Sequence, residues 1–76
     1  MNEKRRWFTN YRMDWIMETL RVFGFINRNH LVRKFELSKA QASADINTFQ
    51  ALHPGAMAYD SSRKCYVAKD EQRRKK

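Results

Sequence analysis

Apolar positions repeat at helical spacing in the first third of the chain. Between Thr9 and Phe23 they fall on two opposite sides of one predicted helix. One side consists of Met13, Ile16, Met17, Leu20 and Phe23, and the other of Phe8, Tyr11, Trp15 and Val22. A surface helix of a small domain needs only one buried stripe. The second apolar side is therefore predicted to form a homodimer contact, and cover by the same chain is the alternative.

A second, shorter helix is predicted to follow a tight break. Gly24 stands where a helix C-cap is expected, and Phe25-Ile26 should form a short extended link. Asn27 is a good N-cap for a helix over Arg28–Phe35. Its apolar positions are four residues apart, so one face should point inward and the basic residues should stay in solvent.

The third helix is predicted to begin after a capping box at Ser38. In the S-x-x-Q spacing the serine accepts from a backbone N–H one turn on, while Gln41 reaches back to the cap. His53-Pro54-Gly55 should stop this helix at about Leu52. Its core side is predicted to consist of Ala42, Ile46 and Phe49. The opposite side is small and polar.

The last part of the domain reads as a β-hairpin. Met57-Ala58-Tyr59 and Cys65-Tyr66-Val67 flank a polar segment whose tip contains Arg63 and Lys64. The two tyrosines are expected to pack on the hairpin. The predicted fold class is α+β, mostly α: a winged helix-turn-helix with three helices followed by a two-stranded β-hairpin wing. Residues 1–8 are predicted to be a flexible basic segment, 9–68 the domain, and 69–76 a disordered basic tail.

The net charge of the chain indicates a class of binding partner. The 76 residues carry a net charge of +8, and residues 63–76 contain seven Lys or Arg against two Asp or Glu. Basic clusters suit a polyanion, because each cation placed at a phosphate releases a condensed counterion. Double-stranded DNA is therefore the expected partner. The third helix would enter the major groove and the hairpin would follow the adjacent backbone.

Specific residues are predicted for each part of this interface. Short polar and small side chains on the third helix are expected at base edges: Lys39, Gln41, Ser43, Ala44 and Asn47. Cations and one hydroxyl are expected at the DNA backbone: Arg28, Lys34, Ser38, Arg63 and Lys64. The homodimer interface is predicted to consist of Phe8, Tyr11, Trp15 and Val22.

Several of these stretches resemble a known family. The run Gln41-Ala42-Ser43-Ala44-Asp45-Ile46, then Leu52-His53-Pro54-Gly55, then Tyr59-Asp60 and Tyr66-Val67, closely resembles the N-terminal winged helix-turn-helix of bacterial WYL-domain transcriptional regulators. The likeness covers about residues 12–68. It implies a dimeric repressor or activator that binds an inverted repeat, with Gln41 and Ser43 toward DNA and with Ala42, Asp45 and Ile46 in structural roles. Family members continue into a ligand-sensing WYL domain and a C-terminal domain, whereas this sequence ends at Lys76. The expectation is either a part of a longer chain or a small regulator of the kind that phages and plasmids encode.

Other chemistry is not indicated. His30, His53 and Cys65 lack the spacing of a metal site, and the sequence contains no phosphate loop or nucleophile elbow. No enzyme activity, metal or cofactor is expected. A single cysteine and no signal-peptide pattern favour a reducing cytoplasm, and the resemblance implies that of a bacterial cell, with a phage or plasmid as a possible source of the gene. The expected function is a sequence-specific DNA-binding transcriptional repressor. The alternatives are a protein-interaction module with the same fold and a nonspecific nucleic-acid binder.

Overall fold

The chain forms helices and strands in the order that the pattern predicts, with one strand more. The computed structural model describes residues 3–69, and the side chains of residues 6–69. This part of the chain contains α1 (Glu3–Phe23), β1 (Phe25–Ile26), α2 (Arg28–Phe35), α3 (Lys39–Leu52), β2 (Met57–Asp60) and β3 (Cys65–Ala68). Residues 1–2 and 70–76, which include most of the predicted tail, lie outside the described residues.

Helix α1 is longer than the sequence indicated. It begins at Glu3, whereas the apolar pattern predicted a start near Thr9. Residues 3–8 contain strong helix formers and neither Gly nor Pro, so the helix can extend backwards. Trp7 and Tyr11 are one helical turn apart, and their rings stack with centroids 5.5 Å apart. Residues 3–8 thus contribute about a turn and a half of helix with aromatic side chains.

The bounds of α2 and α3 agree with the prediction, but their caps differ in detail. Ser38 accepts a hydrogen bond from the Gln41 N–H at 3.0 Å, as expected. The Gln41 side chain does not return to the cap, because a buried carboxylate one turn further on takes its amide instead. The reciprocal capping box is found at α2, where Asn27 accepts from the His30 N–H and His30 Nδ1 accepts from the Asn27 N–H, both at 3.1 Å.

The sheet has three antiparallel strands in the order β1-β3-β2 within residues 3–69. Phe25-Ile26, predicted as a link, pairs with Val67 and Tyr66 and so joins the hairpin. Gly24 allows this: it adopts a φ of 85°, and its carbonyl accepts from the Ala68 N–H at 2.9 Å. The added strand ties the end of α1 to the hairpin, which fixes the hairpin relative to the helices.

The core lies where α1, α3 and the sheet meet. The predicted inward side of α3 is confirmed, since Ala42, Ile46 and Phe49 are all buried. Most of the predicted inner side of α1 is also buried, but Phe23 is 68% exposed. The helix ends at this residue, beyond the reach of the core, and Phe23 lies beside Trp15 and Phe25 in a shallow apolar depression. Three helices and a wing packed on one core constitute a winged helix-turn-helix, as the sequence predicted.

Candidate nucleic-acid interface

A buried ion pair between α1 and α3 lies beneath the outer side of α3. Asp45 is 2% exposed and belongs to the inner side of the helix. Arg12 of α1 donates to it twice, from Nε to Oδ2 at 2.6 Å and from Nη2 to Oδ1 at 3.2 Å. A buried carboxylate needs such compensation, because leaving it without partners would cost several kcal/mol. The pair joins α1 to α3 across 33 residues of sequence.

The same carboxylate also holds a residue on the outer side. Gln41 is exposed, and its Nε2 donates to Asp45 Oδ1 at 2.9 Å. Residues four positions apart are neighbours on a helix, so this contact needs no distortion of the backbone. The amide of Gln41 is therefore fixed by a network that begins on another helix.

A groove separates α3 from the wing. It has a volume of about 580 Å³ and is hereafter called the helix-wing groove. Its lining combines the start of α2, the middle of α3 and the two wing strands: Asn27, Arg28, Asn29, Ser43, Ile46, Asn47, Tyr59, Lys64 and Tyr66. The charged residues of this lining are Arg28 and Lys64, both positive. An open, polar and cationic groove beside an exposed helix is suited to a phosphate backbone.

Arg28 is oriented across the groove. Its Nη1 donates to Ser43 Oγ at 3.1 Å, which links the first residue of α2 to the middle of α3. The bond is exposed, so it positions the guanidinium more than it stabilises the fold. Both residues were predicted from the sequence, for different parts of the interface, and the structure brings them together.

The wing tip is ordered by an aspartate. Asp60 Oδ1 accepts from the N–H groups of Ser62 and Arg63, at 2.9 and 3.2 Å, and the Asp60 carbonyl accepts from the Lys64 N–H at 2.7 Å. The Arg63 Nε also lies 3.7 Å from Asp60 Oδ2. Lys64 adopts a left-handed φ of 59° and its side chain lines the groove, whereas Arg63 does not. The carboxylate partly offsets the charge of Arg63, so Lys64 is the better placed of the two cations.

The two wing tyrosines face each other across the strands. Tyr59 pairs with Tyr66 in the antiparallel register, and their ring centroids are 4.9 Å apart in an edge-on arrangement. This confirms the predicted hairpin packing. Both rings also line the helix-wing groove, a role that the sequence did not indicate.

Comparison with known proteins agrees with this geometry. A family model for the BrxR transcriptional regulator winged helix-turn-helix domain matches residues 9–75. The chain belongs to this family. The match also confirms the resemblance to the N-terminal module of WYL-domain regulators.

Two curated relatives are similar over most of this chain. The DNA-binding transcriptional repressor CapW of Stenotrophomonas maltophilia is 37% identical over 70 residues, which make up 92% of this chain and 23% of that protein. A protein of the same name from Escherichia coli (strain KTE188) is 38% identical over 61 residues, 80% of this chain and 20% of its own length. The chain thus spans about a fifth of the length of the curated relatives that it matches.

The predicted DNA contacts of this family member fall into three groups. Arg28, Ser43, Asn47 and Lys64 line the helix-wing groove. A second group is exposed on or next to α3 and the wing but outside that lining: Ser38, Lys39, Gln41, Ala44 and Arg63. Lys34 is separated from both, because it lines the apolar depression with Trp15 and Phe23. Asn29 also lines the helix-wing groove. It was not predicted from the sequence, although its place in the first turn of α2, next to Arg28, was a usable signal.

The predicted dimer side of α1 is only partly open. Trp15 is half-buried and meets Phe35 edge-on, with centroids 5.5 Å apart. Tyr11 also contacts Phe35, at 5.8 Å, yet stays 48% exposed. Phe8 and Val22 are exposed as well. Helix α2 therefore supplies the intrachain cover that was the alternative for Trp15, and it leaves Phe8, Tyr11 and Val22 exposed.

Between Glu3 and Lys69, no three His, Cys, Asp or Glu side chains gather as metal ligands would. No helix in the same range has an apolar stretch long enough to cross a bilayer. The pKa of His30 is lowered, first by burial and then by the nearby positive charge of Arg33. A neutral His30 can accept the Asn27 N–H, so the direction of the shift suits its role in the cap.

Proposed function

We propose that this chain is the DNA-binding part of a transcriptional repressor and recognises a specific double-stranded sequence. The helix-wing groove carries the proposal. It places two cations beside an exposed polar helix, with Arg28 held by Ser43 and Lys64 held by the wing turn. Helix α3 would enter the major groove, while Arg28 and Lys64 would contact phosphates. Its setting would be the cytoplasm of a bacterial cell.

The polarity of the outer side of α3 supports sequence-specific binding over nonspecific binding. Lys39 is the one cation on this helix, and its other outward side chains are small or uncharged. Amide and hydroxyl groups distinguish base edges, whereas lysines mostly add affinity for any phosphate backbone. Selection would thus come from α3, and most of the affinity from the groove cations and the wing.

Repression and an inverted-repeat operator are the finer parts of the proposal. The curated relatives are named as DNA-binding transcriptional repressors. A homodimer would present two copies of α3 about 34 Å apart, which sets half-sites about 10 base pairs apart or at a multiple of that spacing. The uncovered aromatic side chains of α1 support the dimer, since Trp7, Phe8 and Tyr11 are each about half exposed and contact one another.

A charge-matched pair of variants tests the DNA interface. Lys64→Gln removes one positive charge from the groove, and Arg21→Gln removes one from an exposed residue of α1 that pairs with Glu18 at 3.0 Å. We expect Lys64→Gln to weaken binding to every duplex and to reduce the slope of log affinity against log salt by about 0.9, the value for one phosphate contact. Arg21→Gln should leave the slope unchanged.

Each other outcome contradicts a defined part of the proposal. Equal effects of the two variants would mean that the groove is not the interface and that only net charge matters. Absence of binding to any duplex would favour a protein-interaction module instead. The dimer is tested separately by light scattering with Tyr11→Asp as the disrupting variant. A monomer mass for the unsubstituted chain at micromolar concentration would exclude the α1 interface.

A further inference from the structure

We propose that Arg12 and Asp45 determine which base Gln41 can recognise, by fixing the orientation of its side-chain amide. The inference rests on the proposed function and extends it to a residue that lies outside the interface. Arg12 belongs to α1 and does not line the helix-wing groove. Its connection to the DNA-facing surface runs through one buried carboxylate.

The orientation follows from hydrogen-bond chemistry. Asp45 accepts from Arg12 through both oxygens, and a carboxylate paired with a guanidinium has acceptors only. The Gln41 amide must therefore turn its nitrogen toward Asp45, as its 2.9 Å contact requires. The oxygen and nitrogen of an amide diverge from one carbon, so the carbonyl oxygen is directed away from Asp45. Rotation of the amide by 180° would bring two oxygens together and is disfavoured.

A fixed amide selects among bases. A carbonyl oxygen directed outward accepts a hydrogen bond from the exocyclic amino group of adenine or cytosine in the major groove. Guanine and thymine present oxygen atoms at this position, which would oppose the Gln41 oxygen. On the strand that Gln41 faces, we therefore expect adenine or cytosine.

Asp45→Asn is the decisive variant because it preserves size and changes the donor pattern. The shorter bond from Arg12, 2.6 Å from Nε to the Oδ2 position, should keep the oxygen of the new amide there. Its nitrogen then occupies the Oδ1 position, which faces Gln41, and the 3.2 Å bond from Arg12 Nη2 is lost. Gln41 can then rotate and present its nitrogen to DNA. The base preference at its position should shift toward guanine or thymine, by about tenfold or more relative to the unsubstituted chain. A merely structural role for Asp45 would lower affinity for all duplexes and leave the preference unchanged.

The experiment uses the full 76-residue chain. Its preferred duplex is selected from a randomised double-stranded library, and binding is then measured to duplexes with each base pair replaced in turn. Gln41→Ala identifies the base pair that Gln41 reads, through the loss of about 5- to 150-fold discrimination there. Asp45→Asn and Arg12→Gln are compared at that base pair, with Arg21→Gln as the control for loss of an arginine from the same helix.

A double variant separates orientation from folding. If Asp45 acts through Gln41, adding Asp45→Asn to Gln41→Ala should produce no further change in preference at that base pair. An unchanged base preference in Asp45→Asn would overturn the inference while leaving the proposed function intact. Selection that yields no preferred sequence for the unsubstituted chain would overturn both. Circular dichroism of each variant confirms that the comparison is made between folded proteins.

Discussion

Removal of the Arg12 guanidinium should destabilise the domain far more than loss of a surface charge. Arg12→Met keeps most of the aliphatic stem and deletes the two hydrogen bonds to Asp45, of 2.6 and 3.2 Å. The Asp45 side chain is 3% exposed, so it cannot recover hydration without a shift of α3. Among the hydrogen bonds of residues 6–69, its carboxylate would retain that from the amide of Gln41.

The expected loss of stability depends on the contacts that Asp45 keeps in Arg12→Met. Breaking a buried ion pair by removing one partner costs about 3 to 5 kcal/mol, and the remaining hydrogen bond to Gln41 offsets about 1 of these, which leaves about 2 to 4 kcal/mol. A domain of this size has a total stability on the order of 4 to 11 kcal/mol. The melting temperature should therefore fall by roughly 10 to 30 °C.

Thermal and urea unfolding followed by circular dichroism measure this directly. In the double variant Arg12→Met/Asp45→Asn the uncompensated charge is absent, so we expect at least half of the lost stability to return. Arg21→Met, which breaks an exposed pair, should change stability by less than about 1 kcal/mol. A loss below about 0.5 kcal/mol in Arg12→Met, or no recovery in the double variant, would refute the view that Asp45 is a buried charge held by Arg12.

Two further predictions concern the start of α2. Asn27→Ala removes the acceptor for the His30 N–H and should cost about 1 kcal/mol, measured by urea unfolding, whereas Asn27→Ser should restore most of it. Because burial and Arg33 lower the pKa of His30, the unfolded chain takes up a proton first as the pH falls. Stability should thus be constant above about pH 6.5 and should decline from there toward the lowered pKa. His30→Gln can still accept the Asn27 N–H but does not titrate. Its melting temperature should therefore decline less between pH 7.5 and pH 5 than that of the unsubstituted chain. An equal decline in both proteins would show that another group causes it.

Local signals made most element bounds predictable. Asn27 and Ser38 are the N-caps of α2 and α3, and Pro54 follows the end of α3. Each of these residues acts within one turn of its own position. The inward side of α3 was predictable for the same reason, since helical spacing alone places Ala42 and Phe49 together. The winged fold therefore followed from caps, breakers and periodicity.

Contacts between distant residues were not predictable in this way. The side chain of Gln41 fits a capping box, yet it bonds to Asp45, which is paired with an arginine 33 residues away. The pairing of β1 with β3 likewise depends on the direction in which the chain leaves Gly24. Phe23 continued the apolar side of α1 but lies past the core. Apolar periodicity predicts which residues share a face of a helix, but it does not predict which element packs against that face.

The predicted DNA contacts do not all lie on one surface. Arg28, Ser43, Asn47 and Lys64 meet in one groove, because α2, α3 and the wing all border it. Lys34 was assigned by charge alone and lies in a different depression. Charge indicates a class of partner, but only the packing of helices decides which cations share a surface.

The central claim is that α3 selects a DNA sequence, and one measurement tests it most directly. The dissociation constants of the unsubstituted chain for its selected duplex and for a scrambled duplex of equal length and composition are compared at the same salt concentration. We predict that the selected duplex binds about 1,000-fold more tightly, at the lower end of the range for specific DNA-binding proteins. In Gln41→Ala this ratio should fall while binding to the scrambled duplex is unchanged. Equal dissociation constants for the two duplexes would contradict the account.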